Sequence, residues 1–269
     1  MKSKAETQVE KTKQLYENLF RELSKEIHSC NIGLSFEKGI LQLHLEQLEF
    51  QFRPGVKCID VGSGSGRYSA ALKMLYPSIQ IFSLEIGLEN ILQHRAEAMS
   101  INADALQIPF KDNTFDFVMC LGVIQHTINP RKAVAELLRV CKPDGAILLY
   151  TYGKGLYNYF IESLRCIARL IGNREAVSSF AFHIAKKLHF NSRVPLLMLD
   201  ELYVDIRHTF SRGDVEEMIY GAGKPLRRVE FIKHPKEICN INDLQIDAIS
   251  KALYKLIPKI LLIEAVVYL

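Results

Sequence analysis

At positions 58–66 the chain reads Cys-Ile-Asp-Val-Gly-Ser-Gly-Ser-Gly, and no other stretch limits its fold as sharply. Val56–Val61 is an apolar, β-branched run that opens after Pro54-Gly55, the pattern of a buried parallel strand. Asp60 lies at the carboxyl end of that run, where open α/β sheets bind their ligands. Gly62, Gly64 and Gly66 then permit a tight turn with positive φ and present no Cβ to a ligand. A helix beginning near Tyr68 is expected to follow. Together these features point to an open α/β sheet and a nucleoside-containing cofactor.

The spacing separates one cofactor from others. A dinucleotide loop carries a third glycine in G-x-G-x-x-G so that the helix can pack on the strand, and here that place is held by Arg67. The Gly-Lys-Ser/Thr of a P-loop is absent. An acid before the first glycine would repel a pyrophosphate, but it suits a cation bearing an α-amino group. S-adenosylmethionine, with a sulfonium, an ammonium and no phosphate, meets that description.

Further strands are expected at Ile79–Leu84, ending at Glu85, and at Phe115–Leu121, running into Gly122-Val-Ile-Gln-His126. A helix from about Asn129 to Cys141 leads through Lys142-Pro-Asp-Gly145 into a fifth strand, Ala146–Thr151. An acid where Glu85 stands accepts hydrogen bonds from ribose hydroxyls in nucleotide folds. The phrases IDVGSGSGR, SLEIGLENIL, ADALQIPFKDNTFDFVMCLGVIQH and AVAELLRVCKPDGAILL occur in order between Val56 and Tyr150. In these the chain resembles the class I S-adenosylmethionine-dependent methyltransferases, above all the small-molecule branch that includes ubiquinone/menaquinone-type enzymes.

That resemblance implies a Rossmann-like α/β fold: a seven-stranded, mostly parallel sheet with helices on both faces. It places the methionine amine near Asp60, the ribose on Glu85 and the adenine edge on Asp104. The rest of the implied cofactor-binding set is Gly62, Ser63, Gly64, Ile86, Ala105, Cys120, Leu121 and Gln125, the last a contact to adenine or to substrate. His126, just after the fourth strand, is the candidate catalytic residue: a general base near neutral pKa, or else a histidine that holds backbone.

Around the core, residues 1–53 read as helices. Leu15, Leu19, Leu23 and Ile27 form one apolar face, and a second segment spans Phe36–Phe50; they pack on the sheet edge or serve as a lid. The core is expected over residues 54–151 and a helical substrate cap, inserted after the fifth strand, over 152–210. Within the cap, Leu156–Ile171 and Glu175–Phe190 read as helices whose aromatic positions suit either core or substrate contact. Residues 211–269 would complete the core sheet. There Ser211-Arg-Gly-Asp214 resembles a capping box, and strands are expected at Leu226–Ile232 and Ile260–Leu269.

Composition fits a cytoplasmic enzyme. The first thirteen residues alternate charged and polar side chains with no apolar signal core, and no apolar run reaches membrane-spanning length. Cys30, Cys58, Cys120, Cys141, Cys166 and Cys239 form no C-x-x-C pair, so neither a metal site nor a disulfide is expected. The net charge is +4, and the basic stretch Lys224, Arg227, Arg228, Lys233, His234 and Lys236 reads as a solvated strand rather than a nucleic-acid surface. The expected activity is methyl transfer to an O, N or C nucleophile of a small, partly apolar or aromatic molecule, with homo-oligomer formation left open. The rivals are an RNA or protein methyltransferase, a non-catalytic S-adenosylmethionine-binding subunit, and a nicotinamide dehydrogenase, against which Asp60 and Arg67 argue.

Overall fold

The computed structural model of the chain describes residues 38–92 except 40 and 43, 98–171, 204–231 and 262–268. The strands are β1 (Lys57–Val61), β2 (Gln80–Glu85), β3 (Met99–Asn102), β4 (Phe115–Leu121), β5 (Cys141–Tyr152), β6 (Arg228–Phe231) and β7 (Leu262–Tyr268). The helices are α1 (Arg67–Leu75), α2 (Leu88–Leu92), α3 (Pro130–Val140), α4 (Leu156–Ile171) and α5 (Arg212–Tyr220). All strands join one sheet in the order β3-β2-β1-β4-β5-β7-β6. The first five pair in parallel, and β7 runs antiparallel to both β5 and β6. This is a Rossmann-like α/β fold built on a parallel sheet. The order reverses between β1 and β4, which is where such sheets open a ligand crevice.

Strand alternation divides the core in two. Ile59, Val61, Val118, Cys120, Ile147 and Leu149 face one side, against Val134, Leu137 and Leu138 of α3 and Val215 and Ile219 of α5. Cys58, Ile81, Phe117, Met119 and Leu148 face the other, against Ala71 and Leu72 of α1 and against Leu41 and Leu45. Because both faces are covered, the central strands read as continuous apolar runs, which made them visible in the sequence. The described part of the N-terminal region is packing: Leu41, Leu45 and Leu48 are buried, and the Phe52 ring stacks on Tyr76 at 4.3 Å. Its helical residues end near Leu45, short of the expected Phe50. The Leu15–Ile27 face and the Glu175–Phe190 helix lie outside the described residues.

Several boundaries follow from local chemistry. The Asn129 side chain accepts from Lys132 N–H at 3.0 Å with Pro130 in the first turn, which starts α3. Ser211 and Asp214 form the expected reciprocal capping box at the head of α5. The expected fifth strand is corrected: β5 begins at Cys141, because Cys141 pairs with Phe115 and Ala146 with Phe117. Residues 142–145 therefore bulge opposite Asp116, with Asp144 at φ 64. Lys142 pins that bulge through Asp116 at 2.7 Å. Among the described residues no helix is long and apolar enough to cross a membrane.

One side chain ties α3 to the loop before β4. Arg139 donates to the carbonyls of Ile108 and Phe110, to Asp112 and, twice, to Glu136, at 2.7–2.9 Å. Glu136 in turn accepts from Ile108 N–H at 2.8 Å, and its pKa is lowered first by Arg139. Arg139→Ala should cost about 2–3 kcal/mol by stranding these charge-assisted bonds. Arg139→Lys should recover only part of that, because ammonium lacks the guanidinium fork. Denaturant unfolding of the two variants beside the parent measures both.

Candidate active site

The glycine loop is shaped by where its amides go. Gly62 N–H and Ser63 N–H both donate to the Leu84 carbonyl, at 2.7 and 3.0 Å, and Gly64 N–H donates to Glu85 Oε2 at 2.9 Å. The loop is thereby drawn across the carboxyl end of β2. Gly62 has φ 75, and a Cβ there would overlap the Val123 methyls. Both facts require glycine at 62.

Beside the loop lies a cavity of about 200 Å³ at the carboxyl ends of β1, β2 and β4. Of the residues singled out in the sequence, Gly62, Ser63, Gly64, Glu85, Ile86, Asp104, Ala105, Leu121 and His126 line it. Glu85 is buried, and its Oε1 accepts from Gly87 N–H at 2.9 Å while Oε2 holds Gly64. Asp104 Oδ1 accepts from Leu106 N–H at 2.8 Å, an Asx turn that fixes its carboxylate at the wall.

Three expected contacts lie behind that wall instead. Asp60 is buried under the loop, where the Ser69 hydroxyl donates to it at 2.7 Å. Burial pushes its pKa up to about 7, with Glu85 adding to the rise and bonds from the Ser69 hydroxyl and backbone N–H opposing it. Cys120 is wholly enclosed in the sheet core. Gln125 is also fully buried, and its amide oxygen accepts from the Thr151 hydroxyl at 3.1 Å, so it braces β5 against the turn after β4. Alternation explains Cys120, since its neighbour Leu121 faces the cavity.

His126 closes a short 3-10 turn, Ile124–His126. A carbonyl can only accept, so His126 Nδ1 carries the proton that it donates to Ile206 O at 3.0 Å. Burial lowers its pKa to about 4, with Arg207, Arg165 and His208 pushing the same way against the Ile206 bond. The imidazole is therefore neutral at physiological pH. Its ring meets Tyr152 edge-on at 5.4 Å, and the Arg207 guanidinium lies over the other side chain of that pair, Tyr152, at 5.0 Å.

Sequence reasoning missed the strap that faces His126. Residues 204–210 lie across the ends of β4 and β5: His208 N–H donates to Gln125 O at 2.9 Å, and His208 Nε2 bonds Thr127 O at 3.1 Å. Phe210 N–H donates to Tyr152 O at 2.8 Å. The strap brings Ile206 to the cavity opposite Thr127 and Ile128. Arg67 and Tyr68 at the start of α1 also line it. Nothing in the local pattern marks Ile206, because its place depends on pairing with residues far away in the chain. Among the described residues no cluster of His, Cys, Asp or Glu is arranged to hold a metal.

Comparison with known proteins agrees with this geometry. A family model described as a methyltransferase domain matches residues 59–149. The demethylmenaquinone methyltransferase of Staphylococcus aureus is 27% identical over 144 residues, spanning 51% of this chain and 59% of that protein. The chain spans about half the length of the curated relatives it matches. Among solved structures, an S-adenosylmethionine-dependent methyltransferase of Thermotoga maritima superposes with TM-score 0.55 at 16% identity, covering 94% of this chain and 99% of that one. A methyltransferase solved with the Trm112 methyltransferase activator of Haloferax volcanii gives TM-score 0.53 at 15% identity, covering 85% and 88%. A methyltransferase domain thus occupies residues 59–149.

The two shifted groups pull stability in opposite directions with pH. His126, with its folded pKa below the unfolded value, contributes stability that is lost as pH falls from about 6.5 to about 4. Asp60, with its folded pKa raised, costs stability as pH rises from about 4 to about 7. On going from pH 7 to pH 4, His126→Asn should therefore gain on the parent by up to about 3 kcal/mol. Asp60→Asn should lose on the parent over the same interval. Unfolding midpoints of the three proteins across that range test both signs.

Proposed function

We propose that the chain transfers a methyl group from S-adenosylmethionine to a nucleophilic atom of a small, partly apolar molecule. The observation that carries this reading is one cavity joining the glycine loop, Glu85 and Asp104 to His126, Thr127, Ile128 and Ile206. The first group suits a nucleoside with a cationic tail: a loop without Cβ atoms, and two fixed carboxylates able to accept from hydroxyl and amino groups. Gly62, Ser63, Gly64, Glu85, Ile86, Asp104, Ala105 and Leu121 would hold the cofactor, with Asp60 acting from beneath the loop. When bound, the cofactor supplies a methyl group already activated by its positive sulfur. Residues 54–151 then form the cofactor core, with 152–210 as the cap on the substrate side.

The protein's own task is to position the nucleophile and keep water out. His126 faces the substrate end as a neutral imidazole. With a conjugate acid near pKa 4 it is a weak base, so it orients the substrate, and the nucleophile arrives with its lone pair available. The described basic residues favour a small substrate over a polyanion. Lys224 is spent on the Leu138 and Cys141 carbonyls at the end of α3, and Arg228 pairs with Glu49 and Glu230 at 3.0 Å each.

Calorimetry should show S-adenosylmethionine binding and no NAD binding; the reverse result sinks the proposal. Glu85→Ala should weaken cofactor binding by roughly 1.5–3 kcal/mol, the scale of a charge-assisted hydrogen bond. Incubation of the protein and a cell extract with methyl-labelled cofactor then identifies the acceptor. Label in RNA or protein would overturn the small-molecule substrate, and binding without transfer would mark a non-catalytic subunit.

A further inference from the structure

Beneath the cavity lies a buried pair of acids with unequal support. Glu85 is held by two backbone amides, Gly64 and Gly87, at 2.9 Å each. Asp60, 3% exposed, takes its donors among the described residues from Ser69 alone, the hydroxyl at 2.7 Å and the backbone N–H. The single Ser69 hydroxyl proton is used on Asp60, so the Ser83 hydroxyl, 2.8 Å away, must donate to Ser69 rather than to Asp60. The loop amides of Gly62 and Ser63 go elsewhere, since both donate to Leu84 O.

No positive group faces Asp60 among the described residues. From α1 comes Ser69, and from β2 come Ser83 in register and Glu85, a second negative charge. From β4 come Met119 in register and Cys120, whose thiol burial holds well above the ordinary range. A wholly buried carboxylate whose only donors come from one serine, with no cation and a like charge nearby, is better supported as the neutral acid. Glu85, by contrast, is held by two amides from separate turns.

We propose that Asp60 rests as the neutral acid beneath the glycine loop and releases its proton when the cationic cofactor enters the cavity, so that cofactor uptake is proton-linked. The inference rests on reading the cavity as an S-adenosylmethionine site. In the exchange the Asp60 O–H bond breaks, the proton passes to the buffer, and the carboxylate is balanced by the positive charge of the ligand. Nothing else is consumed. The upward shift of the Asp60 pKa to about 7, caused first by burial, puts the exchange in the physiological range. The acid thereby favours a ligand that brings positive charge over a neutral nucleoside.

The test is titration of the full chain with S-adenosylmethionine in pairs of buffers with different ionisation heats, near pH 6 and near pH 8.5. Below the Asp60 pKa the parent should release close to one proton more than Asp60→Asn, and near pH 8.5 that difference should vanish. Parent affinity should tighten by up to about tenfold per pH unit below pH 7, and that of Asp60→Asn much less. The ligand's own amine titrates identically in both proteins, so the difference belongs to Asp60. Infrared spectra of the free parent near pH 6 should show a protonated-carboxyl band that disappears on ligand addition. Should Asp60→Asn fail to fold, Ser69→Ala serves: with its hydroxyl donor gone, Asp60 should keep releasing a proton at a pH where the parent has stopped. Binding with equal proton counts in parent and Asp60→Asn, an unshifted profile in Ser69→Ala, or no carboxyl band in the free parent overturns the proposal. Absence of binding to the parent overturns the methyltransferase reading, and the linkage with it.

Discussion

The site depends on the approach of the Val123 methyls to Gly62. That contact leaves no volume for a side chain, and the backbone there already has φ 75. With the chain so bent, two consecutive amides converge on the Leu84 carbonyl and the next glycine reaches Glu85. The loop, the end of β2 and the turn after β4 are therefore one unit. A side chain at 62 would separate them and open the wall that Glu85 and Val123 share.

The opposite wall is built differently. It is a seam of hydrogen bonds between the turn after β4 and residues 204–210, with His126 and His208 each reaching a carbonyl of the other segment. Directional bonds place Ile206 between the buried ends of the strap, Val204 and Phe210, and they also take up His126 Nδ1. A side chain that looks like a base in sequence is thus partly a strut. Its remaining chemistry is that of a neutral imidazole beside a mostly apolar chamber.

Much of the fold was legible because the central strands are covered on both faces and the punctuation between them is chemically specific. Phe115–Leu121 and Leu156–Ile171 fall where their apolar runs end, and Asn129, Ser211 and Asp214 cap where their side chains predict. β3 left little trace, because Met99–Asn102 is a short, largely exposed edge with no run of core residues. The glycine loop and Glu85 were readable for the same reason as the strands, local spacing, whereas Asp104 came from the family resemblance. That Asp60, Cys120 and Gln125 sit behind the cavity wall was not legible, because spacing gives an element and not a facing. Ile206 and the Arg139 clamp depend on contacts between distant segments, which no window of sequence contains.

The position of β7 bears on how the chain assembles. Among the described residues β6 pairs with the sheet through β7, which sits between it and β5. β5 ends at residue 152 and β7 begins at residue 262, so this pairing closes a very long loop. Closing it costs entropy before any contact is made, which slows the step relative to the pairing of β1, β2 and β4. On a ribosome, the cofactor half of the sheet can be in place while the flank of β5 is still bare. During that interval β5, apolar along Ala146–Leu149, is an open edge able to recruit a strand from another nascent chain.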